Sequence, residues 1–438
     1  MTKAEKYKLA KWAMEHALKN GAQQSSVSIS DSKSSSIDIR DEKIDKLETS
    51  IENGLSIELY VDHKYSKHST NRLVKEELAR FIEQAIEGTR YLSEDEFRAL
   101  PDPSLYYKGD GPDLNTYDPQ IDQVEPETKI EIAKALEKEV LGKDERIISV
   151  TTSYYDGESG RVMVTSNGFE GDYQKTYFGV GASVSVQSGD SRPSAGWYES
   201  KIHFDKLNKT GAGAIALDKA LQKVGQKKIG TEKLPMLVEN RQLGRLLGPV
   251  ISALNGSAIQ QKDSFLIDKL GQKVVSEKLS IIDDPFLPSG NASKLFDGEG
   301  LATKKRNIIT QGVLNTYFID NYYANKMGAA PTGGSTSNLV FDLGDQTMDE
   351  MISNIKRGIL VTGFNGGNCN GTTGDFSYGI EGFLIEDGAR TQAISEMNIT
   401  GNMLVLWSSI NAVGNDAYEN SSWLTPSVLF NDVDFSGI

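Results

Sequence analysis

Apolar residues recur at Tyr7, Ala10, Met14, Ala17 and Leu18, a spacing of three to four that puts them on one face of a helix. Gly21 follows as a C-terminal stop. The period then shortens. Extended segments are predicted at 27–29, 37–39, 44–47, 55–60 and 65–68, with Asp31-Ser32 and Glu52-Asn53-Gly54 as turn-formers between them. Ser-Ile-Asp-Ile-Arg at 36–40 alternates as a strand with one solvated face does. A second helix is predicted over 72–89, with Val74, Leu78, Phe81, Ile82 and Ile86 as its apolar stripe.

The stretch 92–125 carries Pro101, Pro103, Pro112 and Pro119 among Asp, Gly and Tyr. It reads as an ordered connector, since Leu105, Tyr106, Tyr107 and Tyr117 can pack on a neighbour. The order then repeats. Pro126 suits a first helical position, Ile130, Ala133, Leu136 and Val140 share a face, and Gly142 ends the helix. Strands are predicted at 147–154, 160–166, 173–187 and 195–204, then a helix over 212–224. No matching residue pattern accompanies this repeat of architecture. Beyond Gly230 a strand at 234–238 and a helix at 241–254 lead into strands and turns, with short helices near 319–327 and 347–356. The apolar run 403–407 has strand length. The implied fold class is α+β: N-terminal helix plus antiparallel-sheet units in a possible repeat, then a β-rich C-terminal domain. The predicted division is 1–91, 92–125, 126–230 and 231–438.

Charge narrows the function. The chain has 438 residues and a net charge of −14. That disfavours direct binding to nucleic-acid phosphates or to an anionic membrane surface. Residues 1–12 are charged from the third residue, so no secretory leader is expected, and no run approaches membrane-helix length. A cytoplasmic location is predicted. A single cysteine, Cys369, excludes an intrachain disulfide, and His16, His63, His68 and His203 are too scattered for a zinc helix. G-x-S-x-G is absent, and the glycine-rich segment 363–379 lacks the G-K-[S/T] of a phosphate loop. Its glycines read as backbone geometry, with Cys369 in a flexible loop. Asp283-Asp284 and Asp432/Asp434 read as turn and surface acids rather than cation ligands. The residues alone yield no active site.

A set of C-terminal motifs carries more. In order they are Ile281-Ile-Asp-Asp-Pro285, Phe296-Asp-Gly-Glu-Gly300 with Ala302-Thr303, Gly312-Val-Leu-Asn-Thr-Tyr317 and Asn325 to Gly328 with Lys326. Thr373-Gly-Asp-Phe-Ser377 with Gly379, Gly382-Phe383, Glu386-Asp-Gly388, Gly401-Asn402, Gly414-Asn-Asp416 and Thr425-Pro-Ser427 follow. This ordered set resembles the TldD/PmbA family, whose members were first called modulators of DNA gyrase. The resemblance covers 234–438 and, more loosely, the N-terminal layout.

What the resemblance implies is specific. TldD-type members look like zinc metallopeptidases with an HExxxH helix and a distant cysteine ligand. PmbA/TldE-type members share the fold without those ligands and pair with TldD as a heterodimer that cuts unfolded or extended peptides. Here two registers are open for the metal helix. One follows the helix and puts Leu247, Gly248 and Ser252 at the His, Glu and His positions. The other puts Val238, Glu239 and Leu243 there. Neither supplies a histidine, and no cysteine lies between Asp416 and Thr425. The resemblance therefore implies a non-catalytic TldE/PmbA-like subunit, inactive alone. No catalytic or metal residue and no cofactor is expected, with zinc only in a TldD-type partner. A TldD-type partner or a second copy, and an extended peptide, are the expected partners. Thr373, Gly374, Asp375, Phe376, Ser377 and Gly379, with the strand 380–386, are candidates for a peptide- or partner-facing element that works by strand addition. A self-sufficient atypical hydrolase and a gyrase-associated regulator are the alternatives.

Overall fold

The computed structural model describes residues 1–437. Its first helix, α1 (Lys3–Lys19), opens on a capping box: the Glu5 N–H donates to Thr2 Oγ1, and the Thr2 N–H donates to the Glu5 carboxylate. Leu9, Ala10, Ala13 and Ala17 are buried along one face. Three antiparallel strands follow, β1 (Gln24–Arg40), β2 (Lys43–Val61) and β3 (Lys64–Thr70), then α2 (Lys75–Thr89). After the connector come α3 (Pro126–Lys138), β4 (Ile147–Thr165), β5 (Glu170–Val186), β6 (Ser194–Lys201) and α4 (Ala212–Gln222).

The sequence expectation of five short strands in the first unit is corrected to three long ones. Asp31-Ser32 and Glu52-Asn53-Gly54 lie inside β1 and β2, paired with each other. The chain reverses instead at Asp41-Glu42 and Asp62-His63, where both residues of each pair have positive φ. That is the hairpin turn usually marked by Asn-Gly, so its sequence signal was absent. The segments 147–154 and 160–166 likewise fuse into β4.

The two units share one six-stranded sheet ordered β3-β2-β1-β4-β5-β6. β1 and β4 meet at its centre with Lys33 opposite Glu158. A local two-fold through that pair exchanges Asp31 with Asp156, and Ile29, Ile37 and Ile39 with Tyr154, Val162 and Val164. The six apolar positions are all buried. The repeat does extend to residues, contrary to expectation. Lys6-Tyr-Lys-Leu-Ala-Lys11 in α1 and Lys129-Ile-Glu-Ile-Ala-Lys134 in α3 hold matching Lys, Ala and Lys positions. Lys6 bonds Asp31 below it, and Lys129 Nζ lies 2.6 Å from Asp156.

The rest of the chain builds the C-terminal region from β7 (Glu232–Val238), α5 (Gly244–Ala253), α6 (Gly256–Gln260), β8 (Ile281–Asp284), β9 (Arg306–Thr310) and β10 (Val313–Leu314). Then follow α7 (Asn321–Met327), β11 (Asn338–Phe341), α8 (Met348–Ser353), β12 (Arg357–Cys369), β13 (Asp375–Glu386) and β14 (Ala389–Asn402). Last come α9 (Met403–Ser408), β15 (Ile410–Val413), β16 (Trp423–Leu424) and β17 (Val428–Ser436). One sheet runs β14-β13-β12-β7-β17-β15, and a β14–β17 pairing closes it on itself. Met236, Val238, Ile359, Val361 and Ile380 pack with α5 and the fully buried Trp407, while Leu237, Leu360 and Ile385 pack with α8. A second sheet is ordered β10-β9-β8-β11-β16. The predicted strand at 403–407 is instead the helix α9, because the Asn402 side chain accepts from the Leu404 N–H and caps it. The fold is α+β with a β-rich C-terminal half. Among the described residues no helix is long and apolar enough to cross a membrane.

Candidate functional site

A cleft of about 350 Å3 opens where β5, β6 and α4 face the start of α5, β12 and β13. Its chemistry comes from Trp197, Lys219, Lys223, Glu239, Arg241 and Glu381, which line it. Lys219 of α4 and Lys223, the residue that caps its C-terminus, stand one turn apart and point the same way. Lys219 Nζ lies 2.8 Å from Glu239 Oε1, and Lys223 Nζ lies 2.7 Å from Glu381 Oε1. Arg241 spreads over Trp197 at 3.8 Å from its ring centre, with Tyr198 at 4.9 Å and Tyr418 at 4.8 Å. It donates to the Tyr198 carbonyl at 3.3 Å and makes no ion pair among the described residues. Burial pushes the Tyr418 phenol up, so it stays protonated.

The backbone places these groups. α4 begins at Gly211 with no side-chain cap of its own, and Glu139 from the end of α3 accepts from the N–H groups of Gly211, Gly213 and Ala214. Opposite, Arg245 of α5 donates to the Gly367 carbonyl at 2.9 Å and holds the β12–β13 hairpin against the helix. Gly367 has φ +87°, and a Cβ there would meet the Ser377 carbonyl at 2.1 Å. β12 pairs with β7 only over Ile359 to Val361, so its edge beyond that pairing is unpaired by β7 where Thr362, Gly363 and Phe364 line the cleft. β6 is an outermost strand and supplies the facing wall.

The residues named from sequence fall as follows. Leu247 is fully buried in the core, Gly248 is half-buried and Ser252 is exposed, so the first register brings no donors together. In the second, Val238 and Leu243 are fully buried apolar residues, and Glu239 alone reaches the cleft, where Lys219 neutralises it. Neither set fits a zinc ion, which needs several converging N, S or O donors. Thr373, Asp375 and Ser377 are exposed, whereas Gly374 and Phe376 are buried and Gly379 is half-buried. They sit at the far end of the hairpin, beside Phe265 and Asn402, and do not line the cleft. Hydrogen bonds from Asn402 and Thr373 hold the Asp375 carboxyl below its usual range. Strand addition at 380–386 is corrected: β13 is paired with β12 on one side and β14 on the other, so it offers no free edge.

The remaining candidates are placed equally plainly. Cys369 ends β12 rather than lying in a loop, and burial raises its thiol, the opposite of an activated nucleophile. His16 pairs with Glu83, His68 with Ser66, and His203 with the Asn115 carbonyl, while His63 lies in the β2–β3 turn. None lines the cleft. Asp283 pairs with Arg306 at 2.8 Å, Asp284 with Lys305 at 2.9 Å and Asp434 with Lys233 at 3.6 Å. Among the described residues no group of three or more His, Cys, Asp or Glu is placed to hold a metal ion. Sequence reasoning missed Trp197, Lys219, Lys223, Arg241 and Glu381. The Lys219/Lys223 spacing was the one local signal available, and it looks like any solvated helix face.

Comparison with known proteins adds a lineage to this geometry. Three family models match in chain order: PmbA/TldA metallopeptidase domain 1 over 26–88, the central domain over 119–224 and the C-terminal domain over 231–437. A solved Bacteroides thetaiotaomicron protein, described as a candidate modulator of DNA gyrase, is 51% identical, with TM-score 0.98 and 100% of both chains covered. The metalloprotease PmbA of Escherichia coli O157:H7 is 28% identical, over 94% of this chain and 92% of its own. The solved TldE of Thermococcus kodakarensis shares the fold, with TM-score 0.83 at 21% identity over 98% of this chain and 100% of its own.

Proposed function

The chain belongs to the PmbA/TldD metallopeptidase family, and we propose that it serves there as the non-catalytic, TldE/PmbA-type subunit of a TldD/TldE-type complex acting on unfolded or extended peptides. One observation carries the proposal. In a fold whose relatives bear the name metalloprotease, the metal-helix positions hold Leu247, Gly248 and Ser252, or Val238, Glu239 and Leu243, and their side chains diverge into core, cleft and solvent. A glutamate without a metal-bound water has nothing to activate, and Glu239 is committed to Lys219.

The cleft supports a binding role. It brings an outermost strand, β6, to the open stretch of β12, and an extended peptide can hydrogen-bond along such edges. Arg241, free of any carboxylate partner among the described residues, can take a substrate carboxylate. In this reading the chain holds the peptide, a TldD-type partner supplies zinc and hydrolysis, and both work in the cytoplasm.

Three measurements on the purified chain test this. Elemental analysis should find no stoichiometric zinc. An unfolded peptide should stay intact when incubated with the chain alone and be cut when an HExxxH-bearing relative is added. The two chains should elute together from a size-exclusion column. Hydrolysis by the pure chain, abolished by Glu239→Gln, would sink the proposal, and so would two chains that stay apart at micromolar concentration.

A further inference from the structure

In the register of β4 and β5, Arg161 pairs with Tyr173, and Met163 and Lys175 follow at the alternate position of each strand, so all four share one face. The opposite face of β4 is the one whose Val162 and Val164 are buried with α1. Over the first face lie residues 112–116 of the connector and the loop 293–298 between β8 and β9, and the space between them is a cavity of about 380 Å3. No residue of the cleft lines it. Its walls are fixed before anything enters. The Thr176 N–H donates to the Thr116 carbonyl at 3.0 Å and Thr116 Oγ1 to the Gln174 carbonyl at 2.9 Å, which ties the connector to β5. Thr303 Oγ1 donates to the Lys294 carbonyl at 2.6 Å, and Phe296 stands 5.1 Å from Phe169 and 6.4 Å from Tyr173 between ring centres. A preformed wall spares a ligand the cost of ordering it.

The acids beside this cavity are engaged, and two of its cations have no acid. Asp172 takes Lys3 at 2.7 Å and the Tyr7 hydroxyl at 3.0 Å. Asp113 accepts from the Asn115 N–H at 2.8 Å, and Asp297 accepts from the N–H groups of Glu299 and Leu301. Among the described residues the Lys175 ammonium has no hydrogen bond and no ion pair, only the ring of Tyr173 at 5.9 Å. The Arg161 guanidinium donates to Ser28 Oγ at 2.8 Å and meets no carboxylate. Lys294, the third cation of the lining, donates to neutral oxygens, Ser335 Oγ at 3.0 Å and the Thr336 carbonyl at 2.7 Å. Burial holds both lysines below the usual ammonium range, and Lys294 lowers Lys175 further. A desolvated charge without a partner is costly, and an anion in the cavity would relieve it.

We propose that this cavity binds a small carboxylate with an aromatic body, its carboxylate against Lys175 and Arg161 and its ring against Tyr173 and Phe296. Size and lining select that class together. A cavity of this volume suits a small organic molecule, and much of its wall is apolar or aromatic: Met163, Tyr173, Leu295 and Phe296. A bare inorganic anion would leave that wall wet, and a neutral hydrocarbon would leave Lys175 unpaired. A carboxylate fits the guanidinium fork of Arg161 and the single charge of Lys175. A free aromatic acid and the C-terminal aromatic residue of a peptide carry this same chemistry. The site stands apart from the subunit reading above, since no residue lines both cavity and cleft.

The test is isothermal titration calorimetry of the full chain with phenylpropionate at neutral pH, with urea unfolding as the check that each variant folds. Phenylpropionate binds saturably, with a Kd below about 1 mM. Phenylpropionamide, which lacks the charge, and acetate, which lacks the ring, each bind on the order of tenfold more weakly or worse. N-acetylphenylalanine separates the two sources: tighter binding than phenylpropionate assigns the site to a peptide C-terminus, weaker binding to a free acid. Lys175→Met lowers the affinity for phenylpropionate on the order of tenfold and leaves the protein folded, because Lys175 holds no other group in place. Lys175→Arg keeps the charge and retains binding. Tyr173→Ala, at a residue 40% exposed, weakens phenylpropionate and leaves the response to acetate unchanged. Absence of saturable binding overturns the proposal. So does an amide that binds as well as the acid, or a Lys175→Met variant that binds as the wild type does.

Discussion

The two halves of the six-stranded sheet begin from the same plan and finish differently. Each is a helix, three antiparallel strands and a helix, and each drops a lysine from the first turns of its leading helix onto an aspartate of its inner strand. In the second half, Asp156 is 4% exposed, the connector covers the β5 edge, and the far wall forms one side of the cleft. In the first half Asp31 is 41% exposed and β2 projects uncovered. One copy of a repeat has been absorbed into contact with the C-terminal region and the other left with its outer edge uncovered. Position in the assembly, more than local sequence, decides what a residue is worth.

The sharpest break of this comparison uses one pair of positions. Phe178 pairs with Asp156 across β5 and β4, as Asn53 pairs with Asp31 across β2 and β1. Phe178 is fully buried and stands edge-on to Phe204 at 5.4 Å. Phe178→Ala should cost about 3–5 kcal/mol in urea unfolding, whereas Asn53→Ala should stay within about 0.5 kcal/mol. The ion pairs divide in the same sense. Asp156→Ala strands a nearly buried Lys129 and removes the partner of the Tyr154 hydroxyl, and should cost about 3 kcal/mol. Asp31→Ala strands Lys6, itself only 6% exposed, but Asp31 is 41% exposed, so the loss should be smaller, about 2 kcal/mol. Equal losses at the two aspartates would show that the halves are energetically alike and that exposure is a poor guide here.

Much of this was legible in the chain, and the failures have causes. The helices of both units follow from their apolar stripes and end signals, and the α+β class follows from the change of period. Long strands were cut short because Ser34, Ser35 and Ser36 of β1 and most of 43–53 in β2 carry no alternation. A strand on the open side of a sheet has no core to enforce one. Turns at Asp41-Glu42 and Asp62-His63 lack glycine, so they looked like strand while Glu52-Asn53-Gly54 looked like turn. The family motifs pointed to the C-terminal region, but the motif residues Thr373 to Gly379 build a hairpin tip away from the cleft. The cleft itself joins α4, β6, the start of α5, β12 and β13, which are distant in the chain. No window of sequence shows Lys219 facing Glu239 or Arg241 lying on Trp197.

A buried carboxyl of the C-terminal region also titrates. Glu299 accepts from the Asn321 N–H at 2.9 Å. Burial raises its carboxyl from 4.5 to about 7, with Asp297, Asp320 and Glu58 adding to the shift. The folded state thus holds this proton more tightly than the unfolded state. Its contribution to stability is full below about pH 4.5 and is lost as pH rises to about 7. Glu299→Gln keeps an acceptor for Asn321 and removes the titration. The variant should match the wild type near pH 4 and exceed it by on the order of 2 kcal/mol at pH 8. A difference that is flat with pH would place Glu299 in contact with water. In the second half the matching test is Glu139→Ala, which uncaps α4 and should cost about 1 kcal/mol. It should also loosen peptide binding at the cleft, because Lys219 and Lys223 ride on that helix.

The smallest effect tests the comparison most finely. Ile51 is 71% exposed, so Ile51→Ser removes almost nothing from a folded monomer and should shift unfolding at submicromolar concentration by less than about 0.5 kcal/mol. Its mate under the local two-fold is Thr176, 1% exposed, bonded to the Ile202 carbonyl at 2.9 Å and to the Asp118 N–H. Thr176→Val keeps the shape and deletes those bonds, and should cost about 1–3 kcal/mol whatever the protein concentration. Ile51→Ser should become costly only if another chain covers this edge. Concentration dependence at Ile51 and none at Thr176 separates an edge kept for a partner from one already covered within the chain. If Ile51→Ser proves neutral at every concentration, the open edge of β2 is merely tolerated, and the two halves differ in burial alone.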